Sequence, residues 1–214
     1  MTFLEMHDLV DVLTDKVQTG YFEPIEKDNF LNLAQMEFVK TRYKAFEVNE
    51  KRREDLMPLV VQAGGAGNQI VLNTVPDFFL VLALTSNIEK VDPCSGNVIT
   101  TDVLVKPMKW DSFWAVQNDP FNRPTQDNVV YLQWNDGAND MLEMPPNTLT
   151  FNQWQLTYLR TPAAIDGTNN TGVEPDLPLH THEEIVNIAV RKMLLNVEQA
   201  SLYEGQIGEN MIME

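Results

Sequence analysis

The chain has a single cysteine, three histidines and no segment in which basic residues prevail. One cysteine, Cys94, excludes an internal disulfide and any zinc site built from cysteine thiolates. Residues 1–58 carry 8 basic and 12 acidic side chains, 59–160 carry 5 and 10, and 161–214 carry 2 and 9. The net charge of −16 is therefore spread along the chain as −4, −5 and −7. Gripping nucleic acid by its phosphates needs clustered Lys and Arg, so that class is excluded, as is attraction to an anionic lipid surface. A wall past which DNA slides without being held is still allowed, because like charges repel. The longest apolar run, Phe78 to Leu84, is far too short to span a bilayer. The segment Met1 to Asp8 lacks the basic and apolar regions of a secretory signal, so a soluble protein of a reducing compartment is expected. A length of 214 residues suits one domain, or one domain with an insertion, and is ample for a sizeable core.

Apolar periodicity divides the chain into helices at the ends and strands between. Met6, Leu9, Val10, Leu13 and Val17 fall on one side of a helix that Gly20 stops. Pro24 opens a second helix, with Glu26 and Asp28 near its positive end, running to Phe46 or beyond with apolar residues on more than one face. Lys51 to Asp55 reads as its solvated end. After Pro58, Val60, Val61, Ile70, Val71, Leu72 and Val75 surround Ala63-Gly64-Gly65-Ala66-Gly67 and read as two short strands about a glycine turn. The run Asp77 to Ile88 fits either a buried strand or a short helix. Hairpins are expected for 89–91 with 98–105, and for 129–134 with 141–144 about Asn135-Asp136-Gly137. Trp110 to Val116 gives a helical turn or two, while 118–124, with Pro120 and Pro124, is irregular. Trp154, Leu156 and Tyr158 alternate with polar residues, as a half-buried strand does. Thr161 to Asp176 is an exposed loop on composition. The last helix opens at Thr181 with Glu184 in a capping box, and its inward face is Val186, Val190, Met193 and Val197.

The expected fold is α+β, a helical body with a β-rich insertion. Its parts are 1–58 (N-terminal helices), 59–160 (insertion), 161–176 (exposed loop), 177–204 (the helix completing the body) and 205–214 (tail).

Nothing in the sequence assembles an active site. In His180-Thr181-His182-Glu183-Glu184 the histidines are two apart, whereas a zinc-protease helix needs them four apart on one face. A capped helix start explains the phrase more simply than metal ligation does. Gly64, Gly65 and Gly67 lack the Lys-Ser or Lys-Thr pair of a phosphate-binding loop and read as a hairpin tip. No serine lies in a nucleophile elbow, and no cation near Cys94 in sequence would activate its thiol. No catalytic, metal-binding or cofactor-binding residue is assigned, and no cofactor. The surplus of apolar and aromatic residues on the N-terminal helices instead suggests packing on another chain, so a non-enzymatic assembly protein is the leading class.

Several phrases, in this order, resemble head-to-tail connector proteins of tailed bacteriophages. They are Thr19-Gly20-Tyr21-Phe22 with Phe30-Leu31-Asn32-Leu33-Ala34-Gln35, then Asp119-Pro120-Phe121-Asn122-Arg123-Pro124, then Leu156 to Pro162, and finally Leu177 to Arg191. Together they are similar to structural proteins of the crAss-like phages of gut Bacteroidetes, and the layout resembles the tubular adaptors of short-tailed phages. The resemblance covers most of the chain and is weakest at 59–118; its phrases are not catalytic signatures. It implies a virion protein assembled in the host cytoplasm. Such a protein forms a homo-oligomeric ring of about twelve copies below the portal protein, touches other tail or ring proteins, and meets genomic DNA passively in its channel. The tail residues Ile207, Met211 and Ile212 are the expected contact with the portal or an adjacent ring. The alternatives are another neck or tail ring, a tail-fibre-associated protein, or a metal-dependent hydrolase using His180, His182 and a glutamate.

Overall fold

Capping and hydrophobic periodicity place the helices of this chain, and strand alternation places the sheet between them. The computed structural model describes residues 1–15, 22–44, 46, 49–91, 94–113, 125, 128–145, 149–166 and 173–196. The fold is mixed α+β, with helices towards both ends and a β-rich middle. It divides into two units, Met1–Leu59 with Pro162–Glu214, and Val60–Thr161.

The first unit is helical. Helix α1 (Phe3–Asp15) starts from Thr2, whose hydroxyl accepts the Glu5 N–H while the Glu5 carboxylate accepts the Thr2 N–H at 2.8 Å. Met6 and Val10 are fully buried on its inner face. Helix α2 (Pro24–Tyr43) has proline in its first turn and the Glu26 carboxylate on the Glu23 N–H. It ends three residues before the expected Phe46. Its buried positions Lys27, Leu31, Ala34, Gln35 and Phe38 recur every three or four residues and form one stripe, while Ile25 and Leu33 stay exposed.

Lys51 to Asp55 is not the end of α2, although Lys51, Arg53 and Glu54 are exposed as expected. It lies in a separate helix, α3 (Glu50–Leu56), started by the Asn49 side chain accepting the Lys51 N–H, with Asp55 and Leu56 buried. A further helix, α4, covers 182–196 and is preceded by a 3-10 turn, Leu179–Thr181. The expected Thr181–Glu184 capping box does not form. Pro178 already caps the 3-10 turn, so the Thr181 hydroxyl donates back to the Pro178 carbonyl at 2.8 Å and Glu184 is left to pair with Arg42. Val186, Val190 and Met193 are buried with Ile185 and Ala189; Val197 lies outside the described residues. Glu37 of α2 takes Lys192 and Arg191 of α4, and its hydrogen bond to the Lys192 ammonium holds the carboxyl below the usual range.

Within 161–176, expected to be an exposed loop, two of the described residues are buried. Pro162 and Ile165 are buried, and the Asn32 carboxamide engages both backbone groups of Ile165, donating to its carbonyl at 3.0 Å and accepting its N–H at 2.7 Å. The Ala163 N–H donates to the Asp176 carboxylate. The backbone of Ile165 can be buried here because one side chain from α2 supplies the pairing that a strand would have provided.

Among its described residues the second unit contains seven strands: β1 (Val60–Ala66), β2 (Gln69–Val71), β3 (Phe78–Val91), β4 (Val98–Pro107), β5 (Val130–Asn135), β6 (Asp140–Glu143) and β7 (Phe151–Arg160). Their order is β1-β7-β3-β4-β5-β6-β2. Every pairing is antiparallel except β4 with β5, which share only Lys106↔Val130 and Pro107↔Tyr131. Two leaves, β1-β7-β3-β4 and β5-β6-β2, are thus joined by one short parallel contact. Both expected hairpins form, as β3–β4 and β5–β6. The ambiguous run 77–88 is strand from Phe78 onward, as part of β3, which bulges where it meets β7.

β1 and β2 are strands, but β2 stops at Val71, where Leu72–Thr74 turn as a 3-10 helix capped by Val75, and the two strands do not pair as a hairpin about the glycines. β1 pairs with β7 and β2 with β6. Gly67, at φ +93°, turns the chain out of one leaf, and Asn68 receives the Met144 N–H on its carbonyl and donates from its side chain to the Met144 carbonyl. That fastens β2 to the other leaf. Leu84, Ile88, Val105, Tyr131, Leu142, Met144, Leu156 and Tyr158 form the core of the unit, with Trp154 packed against it.

Candidate functional site

The histidines come first, because they are the residues from which an active site would be built. His7 of α1 is buried, and its Nε2 lies 2.7 Å from Oδ1 of the equally buried Asp28 of α2. Beside it in sequence, buried Lys27 pairs with Asp11 of α1. Neither pair was signalled by the sequence, where Asp28 looks like a simple helix-dipole residue. The clue was that Lys27 and Leu31 lie four apart on one face, so an inward Lys needs an acidic partner.

His182 is buried at the start of α4, with Nε2 at 2.8 Å from the Leu177 carbonyl and Nδ1 at 3.0 Å from the Met1 carbonyl. Carbonyl oxygens only accept, so a ring nitrogen must donate to each bond that forms. A neutral ring carries one N–H and so donates to one of these carbonyls, and both nitrogens are turned towards backbone oxygens of this chain. His180 lies apart from this, largely exposed, with Nε2 donating to Oδ1 of buried Asp55 at 2.8 Å. The structure therefore does not bring His180 and His182 together around a common point.

Asp55 is the centre of the most elaborate constellation. Its other oxygen lies 3.0 Å from Arg42 Nε, and Arg42 reaches on to Glu184. One α3 carboxylate thus ties α2, the 3-10 turn and, through Arg42, α4. The guanidinium also stacks on Phe38, 4.8 Å from the ring centre. A depression of about 430 Å³ beside it is lined by Arg42, Asn49, Lys51, Arg52, Glu54, Asp55 and His180. An Asp-held imidazole could act as a base, but that lining carries no hydroxyl or thiol for it to activate. Among the described residues, no three His, Cys, Asp or Glu side chains converge to hold a metal ion.

The glycines occupy a different setting. Gly64 and Gly65 lie in β1 opposite Gln155 and Trp154 of β7. A Cβ at Gly65 would sit 2.7 Å from Cε2 and 3.1 Å from Nε1 of Trp154, so glycine is needed for the indole to lie against the strand. The same leaf carries a shallow trough of about 920 Å³, lined by polar uncharged side chains such as Gln62, Thr85, Asn87, Gln153 and Gln155 together with Asp102. Gln155 donates to Gln62 at 2.9 Å and Asn87 to Asp102 at 2.8 Å, so these side chains bind each other across the strands. No lysine or arginine lines the trough, so it has no cation to meet a phosphate.

Cys94 is exposed in the β3–β4 turn. Ile207, Met211 and Ile212, the expected portal or ring contact, lie outside the described residues, as does 118–124. No helix is long and apolar enough to cross a membrane among the described residues. No protein-family profile matches the chain, and no curated protein matches it at significant similarity.

Proposed function

We propose that this chain is a structural virion protein, a subunit of a ring in the head-to-tail connector of a tailed bacteriophage, beneath the portal. The observation that carries the reading is how the chain uses its chemistry-bearing side chains. All three histidines are bonded within the helical unit, two of them to buried carboxylates, where they hold helices together. Apolar side chains, in contrast, stand exposed on the strand unit at Val98, Ile99 and Leu104 and on the helices at Ile25 and Leu33. Such a distribution suits a protein whose work is contact with other chains.

The charge supports the same role. With a net −16 and an acidic excess in each of the three segments, a ring of such subunits lines its channel with a surface that repels phosphate and lets the genome pass. The acidic tail beyond α4, through Ile207, Met211 and Ile212, reaches the portal or the next ring. The test is the position of the protein in purified particles, by imaging with mass spectrometry. A ring of density at the neck is the expected result. Absence from particles, or a place in the fibres, defeats the proposal, and a ring lower in the tail would replace the portal as neighbour.

A further inference from the structure

Both outer strands of the four-stranded leaf have unpaired edges among the described residues. Lys106 and Met108 send their N–H groups away from β3, to the carbonyls of Val129 and Tyr131. Strand geometry alternates with period two, so Val98, Thr100, Asp102 and Leu104 turn their N–H and C=O groups to that same side. β4 meets β5 only at Lys106 and Pro107, which leaves those four residues without a strand partner.

At the opposite edge, the Thr161 N–H points to Asp77 on the β3 side, so Tyr158, Leu156 and Trp154 face β1 and pair with Val61, Ala63 and Gly65. Val60, Gln62, Gly64 and Ala66 therefore face outward. Two edges of equal length, each with four outward residues, bound one leaf. Long exposed edges of this kind are templates for pairing with another chain.

We propose that β4 of one copy pairs with β1 of the next, joining the leaves of neighbouring subunits into one continuous sheet. The strand directions favour this. The leaf β1-β7-β3-β4 is antiparallel throughout and has an even number of strands, so its two edge strands run oppositely. A copy placed alongside by rotation about a ring axis then presents β1 antiparallel to β4, and the alternation continues unbroken.

Full overlap places Gln62 opposite Asp102 and Val61 opposite Val103. Polar side chains then continue the trough on one face, and apolar ones continue the core side on the other. Charge does not oppose the contact, since β1 carries none. Pairing also gives neighbours to Val98, Ile99 and Leu104, whose side chains are 61, 48 and 57 % exposed. The contact is head-to-tail, the kind that closes rings. The inference rests on the ring reading, whose subunit contact it specifies.

The test is oxidative cross-linking of the full chain carrying Cys94→Ser, Gln62→Cys and Asp102→Cys, both concentrated in solution and in particles. A directly opposed antiparallel pair has the Cα spacing a disulfide needs, about 5.5 Å. The expected product is a ladder extending beyond dimers, which neither single cysteine gives. No ladder in either sample overturns the pairing, and so do dimers from Asp102→Cys alone, which would mean β4 meeting β4. Thr100→Pro removes one outward N–H without touching the bonds to β3, and should leave a folded chain that no longer forms the ladder. Neck localisation without cross-links sinks the edge contact alone; a ladder from a protein absent from particles sinks the connector reading alone.

Discussion

Replacing Gly65 by alanine tests how the β1–β7 contact is built. The added methyl would lie 2.7 Å from Trp154 Cε2, where carbon atoms normally keep about 3.5–4.0 Å. The indole cannot simply swing away, because it packs against the core formed by Leu84, Ile88, Leu156 and their neighbours. Its Nε1 has no hydrogen-bond partner among the described residues, so contact rather than a polar bond fixes the ring. Overpacking of this kind costs about 1–3 kcal/mol, and alanine recovers about 0.5–1 kcal/mol of backbone entropy relative to glycine in a strand. A net loss of about 0.5–2 kcal/mol is expected from these terms.

Gly64→Ala is the matched control, since its methyl would meet only the Trp154 carbonyl at an ordinary 3.4 Å. That variant should be neutral or slightly stabilised. Urea unfolding followed by far-ultraviolet circular dichroism measures both, and repeating Gly65→Ala in a Trp154→Leu background should abolish most of its cost, as coupling between touching residues requires. Equal stability of the Gly64 and Gly65 variants, or an undiminished cost without the indole, would refute the reasoning.

Four further outcomes are expected. Met193→Ala, at a fully buried position of α4, should cost about 2–5 kcal/mol in denaturant unfolding. His182→Ala should cost about 1–3 kcal/mol, because it removes a buried ring that bonds a backbone carbonyl; a neutral result would show that the ring is not bonded as described. Asp55→Ala should destabilise by about 1.5–3 kcal/mol while His180→Ala, on the exposed side of the same pair, costs under about 1 kcal/mol, so equal losses would contradict the assigned burial. Asp136 accepts the Ala138 and Asn139 N–H groups in the β5–β6 turn, which holds its carboxyl below the ordinary Asp value. A folded value below the unfolded one gives stability that is present above the unfolded value and lost as pH falls through the folded one. Asp136→Ala should therefore flatten the acid limb of the stability–pH profile, and an acid limb superposable on that of the parent chain would refute it.

Local signals in the sequence determined the helices and most of the strands. The stripe from Met6 to Val10, the Pro24 start, the alternation from Trp154 to Tyr158 and the Asn135-Asp136-Gly137 turn are each complete within about a dozen residues, a range over which periodicity and turn chemistry act. The single cysteine excluded an internal disulfide before any fold was considered. Partnership between distant segments was decided only by the tertiary structure. Whether β1 pairs with β2 or with β7 depends on residues nearly a hundred positions away, and Asn68 fastening to Met144 settles where the chain goes after Gly67. Asn32 burying Ile165, Asp55 binding both Arg42 and His180, and Pro178 displacing Thr181 from its cap are of the same kind. A polar side chain carries the same composition whether it faces water or a buried partner, and the energy that separates the two comes from groups remote in sequence.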